Sequence, residues 1–177
     1  MKNKFHQMLL ILVVFVLAAC QATPAAPTER PAVDFFKDQP GRWISVRIPE
    51  GWVAKQGVSS TSPSVVLTND EAISILILPL TDKGSAEQVL QIALGRFNKM
   101  LTLQMGDIAL EKIAGQSYAS VEYQGKSAEQ DNVLAYYLYT VISTDQRSVL
   151  VLTNVTVSQE KTIKPAYQSV VKGVTVH

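Results

Sequence analysis

Met8 to Leu17 is an unbroken run of ten apolar residues, and no later segment sustains one of that length. A helix that spans a bilayer needs about 20 such residues, so this run is too short to cross. Lys2 and Lys4 precede it and Leu17-Ala18-Ala19-Cys20 follows. A positive start, a short apolar stretch and small residues before a cut site make up an export signal. The pattern then lapses. Between Gln21 and Val33 no apolar periodicity exists, and Pro24, Pro27 and Pro31 block helix and favour extended chain. This stretch reads as a tether, reaching ~40 Å if extended at ~3.1 Å per residue.

Alternation begins at Trp43. Ile44, Val46 and Ile48 fall on one side, Trp43, Ser45 and Arg47 on the other, which is the period of a half-buried strand. Pro49-Glu50-Gly51 signals a turn and Trp52-Val53-Ala54 a return strand. Strands are predicted at 64–68 and 72–78, joined through Asn69-Asp70-Glu71 as a hairpin. After Gly84 the period changes to that of a helix. Ser85 and Gln88 have capping-box spacing, and Leu90, Ala93, Phe97, Met100 and Leu101 form an apolar stripe with Lys99 near its end. The helix is expected over 86–103.

Strand patterns return at 108–113, 117–124, 132–143 and 147–154, with turns at Gly125-Lys126-Ser127 and Asp145-Gln146. The last two are apolar on both faces, so both faces must be covered and the strands must be central. A second helix follows, with Pro165 expected in its first turn, Gly173 near its end, and Ala166, Val170 and Val171 as its inner stripe. The reading is an α+β fold: a mainly antiparallel sheet whose faces are covered by one long helix and a C-terminal helix. Residues 1–19 form the signal, 20–33 the cysteine and tether, and 34–177 one globular domain.

Composition changes this picture little. Loss of Lys2 and Lys4 with the signal lowers Lys+Arg from 16 to 14 against 15 Asp+Glu, a formal balance of −1. Such a domain has no basic run with which to hold nucleic acid. Cys20 is the only cysteine, so no internal disulfide can form.

Leu17-Ala18-Ala19-Cys20 resembles the bacterial lipobox. The resemblance implies diacylglycerol on the Cys20 sulfur, cleavage before Cys20 and acylation of the new amine. Two lipid signals are what firm anchoring requires. Gln21 is not the aspartate that retains lipoproteins at the inner membrane, which implies the outer membrane where the host has one. Residues 42–177 resemble the PsbP-like α/β/α sandwich, shared by the extrinsic photosystem II protein and bacterial lipoproteins of the DcrB type. Ile48-Pro49-Glu50-Gly51-Trp52 and Val170-Val171-Lys172-Gly173-Val174-Thr175-Val176 carry it. The resemblance implies a closing helix followed by a short strand. The long interstrand insertions of the plant protein are missing, which weakens any implied photosystem association.

Catalytic groups are sparse. The single cysteine is assigned to lipid, and after removal of His6 only His177 remains, expected to fray into solvent. That is too few ligands for zinc and leaves no ordered Ser-His-Asp set. Gly125-Lys126-Ser127 lacks the earlier glycine of a phosphate loop, since Ser120 stands there. Asp70-Glu71 and Glu129-x-Asp131 are acidic turns without the spacing of a calcium loop. No cofactor or metal is expected. Tyr118, Tyr123, Tyr136, Tyr137 and Tyr139 are the candidate ligand or partner face, against the plainer reading that they fill the core. The expected function is a non-catalytic, membrane-anchored domain acting on an envelope partner protein. A small-ligand carrier, a photosystem-associated factor and a carboxylate enzyme are the alternatives.

Intact-mass spectrometry of the protein extracted from its native membrane tests the anchor. A mature chain beginning at Cys20 and carrying lipid mass is the expected result; a chain retaining residues 1–19 excludes it.

Overall fold

Leu134–Ser143 (β9) and Ser148–Thr156 (β10) form the middle of the fold, because both of their faces are apolar. The computed structural model describes residues 30–57, 63–97, 101–126 and 134–177. Within it the large sheet also contains Trp52–Gly57 (β3), Ser64–Asn69 (β4), Ser74–Leu80 (β5), Leu101–Met105 (β6), Ala109–Ile113 (β7) and Gln116–Lys126 (β8). Its order is β3-β4-β5-β10-β9-β8-β6, antiparallel in every pairing. β7 also pairs with β8. Since β9 occupies one edge of β8, β6 and β7 share the other.

Ala86–Phe97 (α1) packs over β8, β9 and β10 and buries Val89, Leu90 and Ala93 against Val121, Val141 and Leu150. Ser85 and Gln88 form the capping box expected of them: the Gln88 N–H donates to Ser85 Oγ at 3.2 Å, and the Ser85 N–H to Gln88 Oε1 at 3.0 Å. Glu160–Gly173 (α2) packs on the opposite face, over β9 and β10. Each aliphatic side chain buried this way contributes roughly 1.5–3 kcal/mol of transfer free energy.

A second, three-stranded sheet of Val33–Phe35 (β1), Ile44–Val46 (β2) and Val174–Val176 (β11) was not legible as a unit. Its Phe35, Ile44, Val46, Val174 and Val176 share one buried cluster with Val65, Leu67, Ile75 and Ile77 of β4 and β5. Gln116 joins the two sheets. From β8 its Nε2 donates to the Val174 carbonyl at 3.2 Å and to the Tyr118 hydroxyl at 3.0 Å, and its Oε1 accepts from the Val176 N–H at 2.7 Å.

Several boundaries differ from expectation. Pairing begins at Val33, inside the stretch assigned to the tether. The Pro49-Glu50-Gly51 turn closes with the Trp52 N–H donating to the Pro49 carbonyl at 3.2 Å, and Gly51 takes φ 76°. It does not make a hairpin. Both edges of β2 are taken by β1 and β11, so the turn sends the chain into the other sheet. Ala72 lies in the turn at φ 59°, and β5 starts at Ser74 rather than 72. The long helix ends at Phe97, and 101–103, expected as helix, are strand because β8 offers a free edge there. Lys99 and Met100 lie outside the described residues. Gly125 and Lys126, expected in a turn, still pair with β9, and Ser127 lies outside the described residues. Pro165 is in the second turn of α2, and the buried stripe is Ile163, Tyr167 and Val170, with Ala166 and Val171 only half-buried.

Gln116→Leu is expected to destabilise the domain by about 2–4 kcal/mol in denaturant unfolding, because it strips buried backbone groups of their partner. Ser117→Ala serves as the neighbouring control.

Candidate binding cleft

The register of β7 on β8 pairs Ala109 with Ser120, Glu111 with Tyr118 and Ile113 with Gln116. Period-two alternation therefore turns all of these toward α2. Between them and the helix lies a cleft of about 410 Å³. Tyr118, Ser120, Leu138 and Thr140 form its floor; Lys164, Gln168 and Lys172, spaced four apart along α2, form its far wall. The floor is largely satisfied internally: Ser120 Oγ and Thr140 Oγ1 are 2.9 Å apart, and the Tyr167 hydroxyl donates to the Val151 carbonyl at 2.8 Å.

Glu122 is the polar centre. Lys164 Nζ donates to its Oε2 at 2.7 Å, and the Tyr136 hydroxyl donates to the same oxygen. These donors, Lys164 first, hold the Glu122 carboxyl below the usual 4.5. Burial and the adjoining carboxylate push the Tyr136 phenol up, so it stays a donor. Asp107, Glu111 and Lys172 also line the cleft. Its charge is mixed, as suits a polar peptide or ligand rather than a simple ion.

The five tyrosines proposed as one face are divided between two. Tyr118 and Tyr136 join the cluster under α2, whereas Tyr123, Tyr137 and Tyr139 join the cluster under α1. Tyr136 and Tyr137 are adjacent on one strand, and adjacent residues point to opposite faces. All five are 2–5 % exposed. Tyr123 stacks on Tyr137 with centroids 4.8 Å apart and tilts against Tyr139 at 5.7 Å, and burial raises the pKa of each ring. Only Tyr118 and Tyr139 contribute to the wall of the α2 cleft. Of the cleft residues that the sequence reading missed, Lys164, Gln168 and Lys172 left one signal, a polar stripe of period four beside the buried stripe of α2, while Glu122 on β8 left none.

His177 does not fray. Its N–H donates to the Trp43 carbonyl at 3.2 Å and its ring stacks on Trp43 with centroids 4.3 Å apart. Its Nε2 is 2.6 Å from Ser45 Oγ, which donates to Asp34 Oδ1 at 2.6 Å. The composition resembles a catalytic triad, but the order is reversed. The serine gives its proton to the carboxylate, so the imidazole must donate to the serine and cannot act as its base. The Ser45 bond above all, with Lys37 and His177 nearby, holds the Asp34 carboxyl below its usual range despite an opposing desolvation effect. Among the described residues no group of three or more His, Cys, Asp or Glu side chains converges to hold a metal. Asp70 and Glu71 sit in a surface turn, and Glu129 and Asp131 lie outside the described residues.

Sequence comparison finds neither a matching family model nor a matching curated protein. Structure comparison is informative. The cyanobacterial PsbP protein CyanoP from Synechocystis sp. PCC 6803 aligns over 87% of this chain and 96% of its own, with a TM-score of 0.55 and 17% identity. The fold is PsbP-like. LpqN of Mycobacterium tuberculosis is also similar, over 82% of this chain and 90% of its own, with a TM-score of 0.51 and 16% identity. A protein of Bacteroides thetaiotaomicron VPI-5482 matches with a TM-score of 0.52 and 14% identity, over 81% of this chain and 48% of its own. In this PsbP-like frame the short closing strand β11 follows α2, as the resemblance implied.

The depressed Glu122 pKa has a sign that can be tested. The unfolded chain binds the proton more tightly, so this group stabilises the fold above about pH 4.5, and the contribution is lost as pH falls through the lower folded value. Glu122→Gln is expected to flatten that part of the stability–pH curve, measured by urea unfolding from pH 7 to pH 3. An unchanged slope excludes the linkage.

Proposed function

We propose that the chain is a non-catalytic accessory domain of the bacterial envelope, held by lipid on Cys20, that docks an extended segment of a partner protein in the α2–β7 cleft. The edge of β7 carries the reading. Among the described residues β7 pairs with β8 alone, and its residues 109–112 are exposed, Leu110 at 62%. An open strand edge presents a row of N–H and C=O groups that a further strand can satisfy. Strand addition takes affinity from those main-chain bonds and specificity from adjacent pockets. Here the adjacent pocket is the cleft, with Glu111 and Ile113 on one side and Gln168 and Val171 on the other.

Two observations support the envelope. The export signal and Cys20 agree with it, and LpqN is described as involved in cell envelope biogenesis. No helix among the described residues is long and apolar enough to cross a membrane. The reversed order of Asp34, Ser45 and His177 supports binding over hydroxyl-based catalysis. A carrier that uses a tyrosine face has less support, since the rings are divided between two cores.

A photo-crosslinking amino acid placed at Gln168 or Glu111 in the native host tests docking. A discrete protein adduct at both positions, absent when the probe replaces Asp70, is expected. Failure of both cleft positions to yield an adduct refutes the docking site.

A further inference from the structure

The large sheet offers four half-faces to cover. On one side α2 covers β9 and β10, while the small sheet shares its cluster with β4 and β5. On the other side α1 covers β8 to β10. The fourth, the α1 side of β3, β4 and β5, is covered only along its β5 margin, where Leu78 and Leu80 pack against the α1 cluster. Val53 there is 59% exposed, and Val66, Leu76, Leu78 and Leu80 are only half-buried. Register places them together, Val66 opposite Leu76 and Val53 opposite Thr68.

At the end of this half-face Leu76, Leu78 and Leu80 form the floor of a cleft of about 770 Å³. Small-molecule sites span roughly 300–1,000 Å³, so its size is suitable. Three arginines from three separate elements line it: Arg42 from the β1–β2 connection, Arg96 from the last turn of α1 and Arg147 from the β9–β10 turn. Arg96 is neutralised, its two terminal nitrogens donating to Asp82 at 2.6 and 2.8 Å. Arg42 donates to the uncharged Gln39 at 3.2 Å. Arg147 has no side-chain hydrogen bond or ion pair among the described residues. Two cationic forks therefore stand uncompensated beside an apolar floor. The near-neutral charge of the whole domain makes this a local feature and not a general basic surface.

We infer that this cleft binds an amphiphile with a carboxylate or phosphate head and a single apolar tail. The head is gripped by Arg42 and Arg147, whose planar forks match those anions. The tail covers Leu76, Leu78 and Leu80, removing from water the part of these half-buried side chains that the fold leaves exposed. The site is on the α1 side of the sheet and independent of the α2–β7 cleft, so either can fail without the other.

Equilibrium dialysis of radiolabelled decanoate, below its micelle concentration, tests the inference on the full lipidated chain in phosphatidylcholine nanodiscs, with empty discs as the blank. Saturable binding of about one decanoate per chain is expected, weakened about tenfold by Arg147→Gln and again by Arg42→Gln. Lys112→Gln, on β7, is expected to leave it unchanged. Decanol at the same concentration is expected to show no saturable uptake. Discs that contain lysophosphatidylglycerol, an anionic membrane lipid with one tail, separate two sources of the ligand: competition with decanoate assigns the site to a membrane lipid, and its absence to a free amphiphile. No saturable decanoate binding, equal saturable uptake of decanol, or binding indifferent to both arginine substitutions overturns the inference.

Discussion

The structure depends on a pair of strands that no single layer can shelter. β9 and β10 are apolar on both faces, so the sheet built around them is stable only when covered twice. α1 takes one side, burying Leu90 against Val141 and Leu150, and α2 takes the other, burying Ile163, Tyr167 and Val170. The small sheet completes the second side over β4 and β5. Gln116 then locks that sheet in place by satisfying buried backbone groups of β11 from within β8. An unpaired buried amide costs more than a made bond returns, so this single side chain fixes the relation of the two sheets.

Incomplete cover is where the clefts lie. α2 lies over β9 and β10 and not over β7, and the strip left between becomes the cleft lined by Glu122 and Lys164. α1 lies over β8 to β10 and not over β3 to β5, and the strip left there becomes the arginine-rimmed cleft. The two clefts follow from one constraint: helices of 12 and 14 residues cannot span a sheet of eight strands. A fold of this kind hosts differing functions because such uncovered strips can be edited without touching the shared core.

The chemistry of each cluster depends on direction as much as on composition. Asp34, Ser45 and His177 contain the groups of a hydrolase, yet the hydroxyl proton points to the carboxylate and the set instead ties β1, β2 and the residue after β11 together. Five tyrosines within 22 residues suggested one recognition surface. The pleat sends neighbours to opposite sides, and their rings fill two cores.

What the sequence determined by itself was whatever is written in local periodicity: the central position of β9 and β10, the Ser85–Gln88 cap, and the α+β class. These depend on residues within a turn or a strand of one another, so no distant partner is needed to read them. The tertiary structure alone decided which strands share a sheet. β2 follows the Pro49-Glu50-Gly51 turn into a different sheet from β3 because β1 and β11, distant in the chain, occupy its edges. It alone held His177 in place, since Trp43 and Ser45 lie more than 130 residues away. It alone set Arg42, Arg96 and Arg147 around one cleft, through two connections and a helix end whose meeting depends on strand order that periodicity does not encode. Local pattern follows from what each residue prefers; the sites follow from which surfaces remain after every element has found its cover.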